Sequence, residues 1–256
     1  MKPFYSKTPR PEGAIPIRWG CAQGWQPQVK SRRAFSLLEL LAILACLALL
    51  AVMILPSFAR RHAHVSRSNC VINLKQVGLS FRTWALDNED KYPMQISVTN
   101  GGTMELVESG PAFMHFLMLS NELSTPKILI CPWEPDTNRT SATTFSQNPS
   151  AQPGFTPIPF TNDTHLSYFV GVDANQSLPN ALLSGDRNLA VDGVQLKRGL
   201  QNVHTNSAAA WFAPQLGHNG GGNVALADGS VQSLNDSRLA AQLQHTGMAT
   251  NRLVFP

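Results

Sequence analysis

The carboxyl-terminal part of the sequence places a histidine and an aspartate where they could support acid–base chemistry. His218 stands in a glycine-rich run, and Asp228 follows ten residues later with Gly229 directly after it. Such a pair can act as a general base and the group that orients it. The sequence contains no G-x-S-x-G elbow and no H-E-x-x-H helix. We therefore predict that the chain is not an enzyme, that His218 bonds its own loop and that Asp228 serves a turn. A hydrolase that uses the pair is the alternative.

A metal site is the second chemistry that these side chains could support. His204, His218 and Asp228 could together offer nitrogen and oxygen ligands. Calcium would need a run of carboxylates at the spacing of an EF-hand loop, and the candidate aspartates do not have that spacing. Those aspartates are Asp186, Asp192, Asp228 and Asp236. We predict no metal and no cofactor, with the site of His204, His218 and Asp228 as the alternative.

The residues around Asp228 also predict the local structure that positions it. Residues 223–226 and 231–234 are two short runs with apolar residues at alternate positions, and Asp228-Gly229 lies between them. A two-residue hairpin loop needs positive φ at both central residues, and Asp-Gly tolerates it. The sequence therefore predicts a β-hairpin with Asp228 and Gly229 as its loop.

Charge divides the chain into two parts. The first 34 residues hold seven of the 20 basic residues and one of the 16 acidic residues, so the remainder has 13 basic and 15 acidic side chains. The net charge of +4 thus belongs to the amino-terminal segment, and we predict no nucleic-acid binding. At 256 residues with 43% hydrophobic content, the chain can form one or two domains with a true core.

An apolar stretch follows this basic segment. Residues 35–55 contain a single charge, Glu39, and as a helix they would span roughly 30 Å, the thickness of a bilayer core. We predict a transmembrane helix here, with a buried core helix as the alternative. A carboxylate within a span needs a partner, unless Glu39 reaches the headgroup region instead.

Beyond the apolar stretch, the spacing of the large residues indicates an amphipathic helix. Leu74, Val77, Phe81 and Trp84 recur at the interval of one helical face. We predict one long helix from about Ser36 to about Leu86, whose second half lies on a carboxyl-terminal head. A long loop, residues 137–164, follows in that head and is rich in Thr, Asn, Ser and Pro.

Two motifs in this sequence resemble those of a known family. One stretch resembles the processing site of type IV pilins and type II secretion pseudopilins. It consists of Lys30, Arg32 and Arg33, followed by Ala34 and by Phe35-Ser36-Leu37-Leu38-Glu39. The family normally has Gly where Ala34 stands. His218, nine residues and Asp228-Gly229 resemble the H-X9-DG signature that accompanies prepilin-type leaders in a large bacterial family.

This resemblance implies specific roles for several residues. Prepilin peptidase would cut between Ala34 and Phe35 and methylate the new amine. Glu39 would pair with the amine of a neighbouring subunit. Cys70 and Cys131 would both be exported to an oxidising compartment that could join them in a disulfide, although the sequence leaves open whether they are close enough. Cys46 would pack in the membrane.

The combined prediction is a pilin-like α+β fold: a long hydrophobic amino-terminal helix, continued by an amphipathic helix on a small antiparallel β-sheet head. Its divisions are a leader (1–34), a transmembrane segment (35–55), the amphipathic continuation (56–92) and a periplasmic head (93–256).

The predicted function is a structural subunit of a type II secretion pseudopilus or type IV pilus-like fibre. Its predicted partners are prepilin peptidase, other pilin-like subunits and the inner membrane, which it would cross once with a cytoplasmic amino terminus. The alternative is a membrane-anchored periplasmic binding protein that does not polymerise and whose head, through residues 137–164, binds a glycan or secreted cargo.

Overall fold

The computed structural model describes residues 36–150, 154, 156–212, 218 and 220–256, and for residues 53–67 it describes the backbone only. The predicted leader, with its processing residues Ala34 and Phe35, lies outside the described residues. The chain divides into two compact units, Met1–Ala51 and Val52–Pro256. The residues considered for chemistry in the sequence, from Cys70 to Gly229, all belong to the second unit.

The described chain contains four α-helices, five short 3-10 helices and nine strands, and all the 3-10 helices precede the first strand. The α-helices are α1 (Leu37–Leu86), α2 (Phe113–Leu117), α3 (Ser120–Leu123) and α4 (Asp236–His245). The 3-10 helices are Pro93–Gln95, Val98–Asn100, Met104–Leu106, Pro126–Leu129 and Asp163–His165. The strands are β1 (Tyr168–Gly171), β2 (Leu182–Asp186), β3 (Leu189–Val191), β4 (Val194–Gln195), β5 (Gly199–His204), β6 (Ala209–Trp211), β7 (Gly222–Leu226), β8 (Val231–Leu234) and β9 (Thr250–Phe255).

The strands form two antiparallel sheets. The larger has six strands in the order β5-β9-β1-β2-β7-β8, and the smaller has three in the order β4-β3-β6. In the larger sheet Gly185 of β2 lies opposite Val224 of β7. This pairing brings the end of β2 beside the start of β7, where the candidate site is built.

The central strands of the six-stranded sheet are buried on both faces. Tyr168 and Val170 belong to one hydrophobic cluster, whereas Phe169 between them belongs to the other, as the alternation of side chains along a strand requires. The first cluster includes the buried face of α1, and the second includes Leu239 and Leu243 of α4. The sheet is therefore the central layer of the second unit.

The amphipathic face of α1 supplies one side of this core. Leu74, Val77 and Phe81 are fully buried and Trp84 is nearly so, whereas Leu79 between them is exposed. Phe81 makes edge contacts with the rings of Tyr92 and Phe116. The 3.6-residue period of the sequence thus corresponds to a face that packs against the sheet.

The predicted fold class is wrong. A pilin-like head with one small antiparallel sheet was expected, but the second unit is rich in β-structure, with six strands in one sheet and three in another. The central strands were not predicted from the sequence because β1, β2 and β7 are buried at every position. Strands covered on both faces lose the apolar–polar alternation that identifies a strand in a sequence.

The prediction of a membrane span is also wrong. Within the residues that the structure describes, no helix is sufficiently long and apolar to cross a membrane. This finding corrects the transmembrane segment at 35–55 and the single-pass inner-membrane location with a periplasmic head.

A buried histidine in α2 predicts how stability depends on pH. His115 is fully buried, its Nδ1 lies 2.7 Å from Thr103 Oγ1, and burial lowers its pKa to about 4. The unfolded chain takes up a proton at His115 below about pH 6.5, but the folded chain does so only near pH 4. Protonation of His115 therefore favours the unfolded chain. The free energy of unfolding keeps its full value above pH 6.5 and should fall by about 3 kcal/mol as the pH falls to 4.

Urea denaturation of the full chain at several pH values measures this effect. His115→Gln should flatten the fall in the free energy of unfolding between pH 6.5 and 4. His245→Gln, at an exposed position in α4, is the matched control and should keep the wild-type slope. Equal slopes for His115→Gln and the wild type would show that His115 is not the group responsible.

Candidate functional site

His218 is buried just before β7 and is the centre of a compact polar cluster. Its backbone has a φ of 41°, in the left-handed region, and its side chain is 3% exposed. Its Nε2 atom lies 3.2 Å from Asp186 Oδ2, 3.3 Å from Cys131 Sγ and 3.4 Å from Asn223 Nδ2. One ring nitrogen therefore faces a carboxylate, a sulfur and an amide.

Asp186 ends β2 and is held by the neighbouring strand β7. Its Oδ2 accepts hydrogen bonds from the backbone N–H of Asn223 at 2.7 Å and from Asn223 Nδ2 at 3.0 Å. Asn223 Oδ1 in turn accepts a hydrogen bond from Ser233 Oγ at 2.6 Å. Asp186 Oδ1 and His218 Nδ1 are buried without a hydrogen-bond partner among the described atoms. The pairing of β2 with β7 thus creates the polar pocket that receives His218.

Cys70 and Cys131 are joined by a disulfide, which settles the question that the sequence left open. Cys70 lies on the buried face of α1, and Cys131 follows the 3-10 helix Pro126–Leu129. The bridge joins residues 61 apart in sequence. Cys46, the remaining cysteine among the described residues, is exposed in α1 instead of packed as predicted.

A cavity of about 320 Å³ opens beside the cluster. Cys131, Asp186 and His218 line it together with Trp133 and Phe212. The His218 cluster therefore lies at the wall of a cavity that combines aromatic and polar side chains.

An ion-pair network forms another part of the cavity wall. Arg187 binds Glu134 in a two-pronged contact, with Nη2 to Oε1 at 2.6 Å and Nε to Oε2 at 3.2 Å. Asp136 Oδ2 lies 3.4 Å from Arg187 Nη2. The backbone N–H of Asn138 is the main cause that lowers the pKa of Asp136, and the positive charges of Arg187 and Arg139 add to it. Two carboxylates and one guanidinium are thus fixed at the rim.

Asp228 serves a turn, apart from the His218 cluster. Its Oδ1 accepts a hydrogen bond from the backbone N–H of Ser230 at 2.8 Å, and its carbonyl accepts one from Arg82 Nη1 at 2.6 Å. The hairpin of β7 and β8 is present, but its loop is not the predicted two-residue type. Leu226 pairs with Ser230, which leaves a three-residue loop, and Gly229 has a φ of 87° while Asp228 is not in the left-handed region.

The structure does not bring together the metal ligands considered from the sequence. His204 is exposed on β5, where its Nδ1 lies 2.8 Å from Thr250 Oγ1. Asp228 is occupied in its turn. In the described part of the chain, the group whose ligand atoms could surround one ion consists of Cys70, Cys131 and His218, with these atoms within 4.8 Å of one another.

In this cluster His218 could act as a base and Asp186 could orient it. The sequence had suggested Asp228 for the orienting role. Among the described residues, the hydrogen-bond and ion-pair partners of His218 Nε2 are Asp186, Asn223 and Cys131, and Cys131 is bonded to Cys70. None of these contacts is a free hydroxyl or thiol that the imidazole could activate. That the chain is not an enzyme stays a prediction.

Asp186 was considered from the sequence only as a calcium ligand, and its pairing with His218 was missed. The available signal was its place after a short run of apolar and small residues, 181–185, where a carboxylate ends a buried strand. An ionisable residue at the end of a buried strand needs a partner, and here that partner is 32 residues away in sequence.

Comparison of the chain with protein-family models, with curated proteins and with solved structures finds no match in any of the three. The resemblance to pilins therefore stays a prediction that depends on the motifs quoted from the sequence.

Proposed function

We propose that this chain is a structural subunit that assembles with other pilin-like subunits through residues 37–51 of α1, after a prepilin-type peptidase has removed the leader before Phe35. The observation that carries the proposal is the exposure of this segment. Every large aliphatic residue between 37 and 50 is 44% to 81% exposed: Leu37, Leu38, Leu40, Leu41, Ile43, Leu44, Leu47, Leu49 and Leu50. An apolar surface of this kind marks a site of interaction.

The distribution of these residues favours several neighbours over one. They occupy every side of the helix, and a helix that is apolar all round is normally buried on all sides. The same segment in further subunits supplies matching apolar surface, so a bundle of such helices covers all of them at once. The proposed contact is therefore helix to helix, between copies or related chains.

Glu39 gives this bundle its register. It is the one charged residue in the segment, and it is exposed in the first turn of α1. A carboxylate within an apolar bundle requires a partner. The amine of Phe35 in a neighbouring processed subunit is the partner that the pilin resemblance implies.

A capping role for Glu39 is the competing explanation, and the chain offers a way to separate the two. Ser36 Oγ accepts a hydrogen bond from the backbone N–H of Glu39 at 3.2 Å, and Ser36-x-x-Glu39 has the residues of a capping box. Gln at position 39 preserves the capping chemistry but removes the charge.

Replacement of Glu39 in the natural host tests the assembly. We expect Glu39→Gln and Glu39→Ala both to be processed normally and both to lose assembled material, measured by pelleting and electron microscopy of sheared fractions. Glu89→Ala, which removes an exposed carboxylate paired with Lys91, is the control and should assemble normally. Normal assembly of Glu39→Gln would assign Glu39 to helix capping and remove its pairing role.

A binding protein is the second candidate, favoured by the cavity of about 320 Å³. Trp133 and Phe212 can stack on an apolar face of a ligand, while Glu134, Asp136 and Arg187 supply hydrogen bonds, a combination suited to a small polyhydroxy compound. Such a protein would keep its host phenotype when Glu39 is replaced and lose it when Trp133 is replaced. The structural subunit would show the opposite pattern.

A further inference from the structure

We propose that Cys70, Cys131, His218 and Asp186 form a zinc site when the Cys70–Cys131 disulfide is reduced, so that the disulfide and the metal are alternative states of one buried cluster. Three ligand atoms, the two sulfurs and a His218 ring nitrogen, already lie within 4.8 Å of one another. Asp186 Oδ2 lies 3.2 Å from His218 Nε2 but outside that group of three, and it would supply the fourth ligand by moving towards the sulfurs. Two thiolates, one imidazole and one carboxylate belong to the ligand types that zinc binds in tetrahedral sites.

Two of the six distances between the proposed ligand atoms agree with a tetrahedral arrangement. With ordinary zinc–ligand bond lengths, nitrogen and oxygen ligands stand about 3.3 Å apart and nitrogen and sulfur ligands about 3.5 Å apart. The corresponding distances are 3.2 Å from His218 Nε2 to Asp186 Oδ2 and 3.3 Å to Cys131 Sγ. Two edges of the tetrahedron are therefore in place before any metal binds.

The disulfide is what excludes the metal in the oxidised state. Sulfurs bonded to each other are not thiolates, and the thiolate is the ligand form of cysteine. Once the bond is broken, the two sulfurs separate to a non-bonded distance and each can bind zinc. Reduction therefore converts a covalent cross-link between α1 and the Cys131 loop into two metal ligands.

The surroundings favour a cation at this point. Cys70, Cys131 and His218 are all buried, and Asp186 is 3% exposed with an Oδ1 atom that has no hydrogen-bond partner among the described atoms. A cation beside this carboxylate would offset a buried charge that is only partly compensated. Asn223, which donates twice to Asp186 Oδ2, would hold the carboxylate in position from outside the ligand set.

The cavity provides a route for both the reductant and the metal. Cys131, Asp186 and His218 line the cavity, whereas Cys70 does not. A thiolate of a small dithiol attacks Cys131 Sγ, the sulfur–sulfur bond breaks and Cys70 leaves as thiolate. The second thiol of the reductant then displaces Cys131, so the dithiol becomes a cyclic disulfide and the protein gains two electrons and two protons. Zinc binding releases those two protons.

Cobalt binding to the full chain tests the proposal, with Cys21→Ser and Cys46→Ser as the background so that Cys70 and Cys131 are the cysteines that remain. After dithiothreitol reduction and anaerobic desalting, we expect one Co²⁺ per chain, with the intense visible bands of tetrahedral cobalt and an ultraviolet thiolate-to-cobalt band. Added Zn²⁺ should remove these bands. The oxidised protein should show neither.

Variants identify the ligands. His218→Ala should weaken cobalt binding by at least about tenfold, and His204→Ala, at the exposed histidine of β5, should not change it. If His218→Ala fails to fold, alkylation of the reduced parent protein provides the readout: one equivalent of Zn²⁺ should protect both Cys70 and Cys131 from iodoacetamide, as measured by mass. A folded, reduced protein without the cobalt bands or without protected thiols would overturn the proposal, as would equal binding by the oxidised form.

Discussion

Replacement of both Cys70 and Cys131 by alanine should lower the free energy of unfolding by about 4 kcal/mol. The disulfide closes a chain segment of 61 residues between α1 and the Cys131 loop. Such a cross-link restricts the unfolded ensemble, and the loop-entropy relation gives about 4 kcal/mol for a segment of this length. The bridged half-cystines are also buried, so their removal reduces packing in the first hydrophobic cluster.

Urea denaturation of the oxidised wild type and of the double variant measures this difference. Cys46→Ala is the matched control, because Cys46 is an exposed free cysteine of the same helix and should change stability by less than about 0.5 kcal/mol. Reduction of the wild type in the presence of a metal chelator should reproduce most of the loss. A double variant as stable as the wild type would show that the bridge does not contribute to folding.

Replacement of Asp186 by alanine should lower the free energy of unfolding by about 2 to 4 kcal/mol, because buried donors lose the acceptor that satisfies them. Three groups lose their contact with Asp186 Oδ2: the backbone N–H of Asn223, the Asn223 Nδ2 amide and the His218 ring. The two Asn223 donors would remain buried, because Asn223 is fully buried and does not line the cavity, and this makes the loss larger than that of a surface hydrogen bond.

Asp87→Ala is the control for this prediction, because Asp87 is an exposed carboxylate at the end of α1. It should change the free energy of unfolding by less than about 0.5 kcal/mol. Loss of order at the cluster should also appear in the nuclear magnetic resonance signals of the Asn223 side-chain amide. An Asp186→Ala protein within 1 kcal/mol of the wild type would mean that the network around His218 is not a determinant of stability.

Local sequence patterns were sufficient for some elements of this fold. The spacing of Leu74, Val77 and Phe81 indicated a helical face, and those residues are buried. Asp228-Gly229 indicated a hairpin, and β7 and β8 form one. The loop length was wrong because one Asp-Gly pair fits both two-residue and three-residue loops. Arg82, which binds the Asp228 carbonyl from α1, belongs to the tertiary environment that a local pattern does not contain.

The remaining features depend on contacts between distant residues. The sequence could not show whether Cys70 and Cys131 were close, because the distance between them is set by tertiary packing within the second unit. The partner of His218 was expected near it in sequence, but Asp186 reaches it through the pairing of β2 with β7. The membrane prediction failed because an apolar run indicates that a helix must be buried but does not indicate which neighbouring molecule buries it.

The most direct test of assembly through residues 37–51 is site-specific photo-cross-linking in the natural host. A photoreactive amino acid at position 44 replaces Leu44, which is 56% exposed, and the control replaces Val194, which is 65% exposed in β4. The proposal predicts protein adducts from position 44 that contain further copies of this chain or pilin-like subunits, with cross-links to residues 37–51 by mass spectrometry, and no such adducts from position 194. Absence of protein adducts at position 44, or the same adducts at both positions, would contradict it.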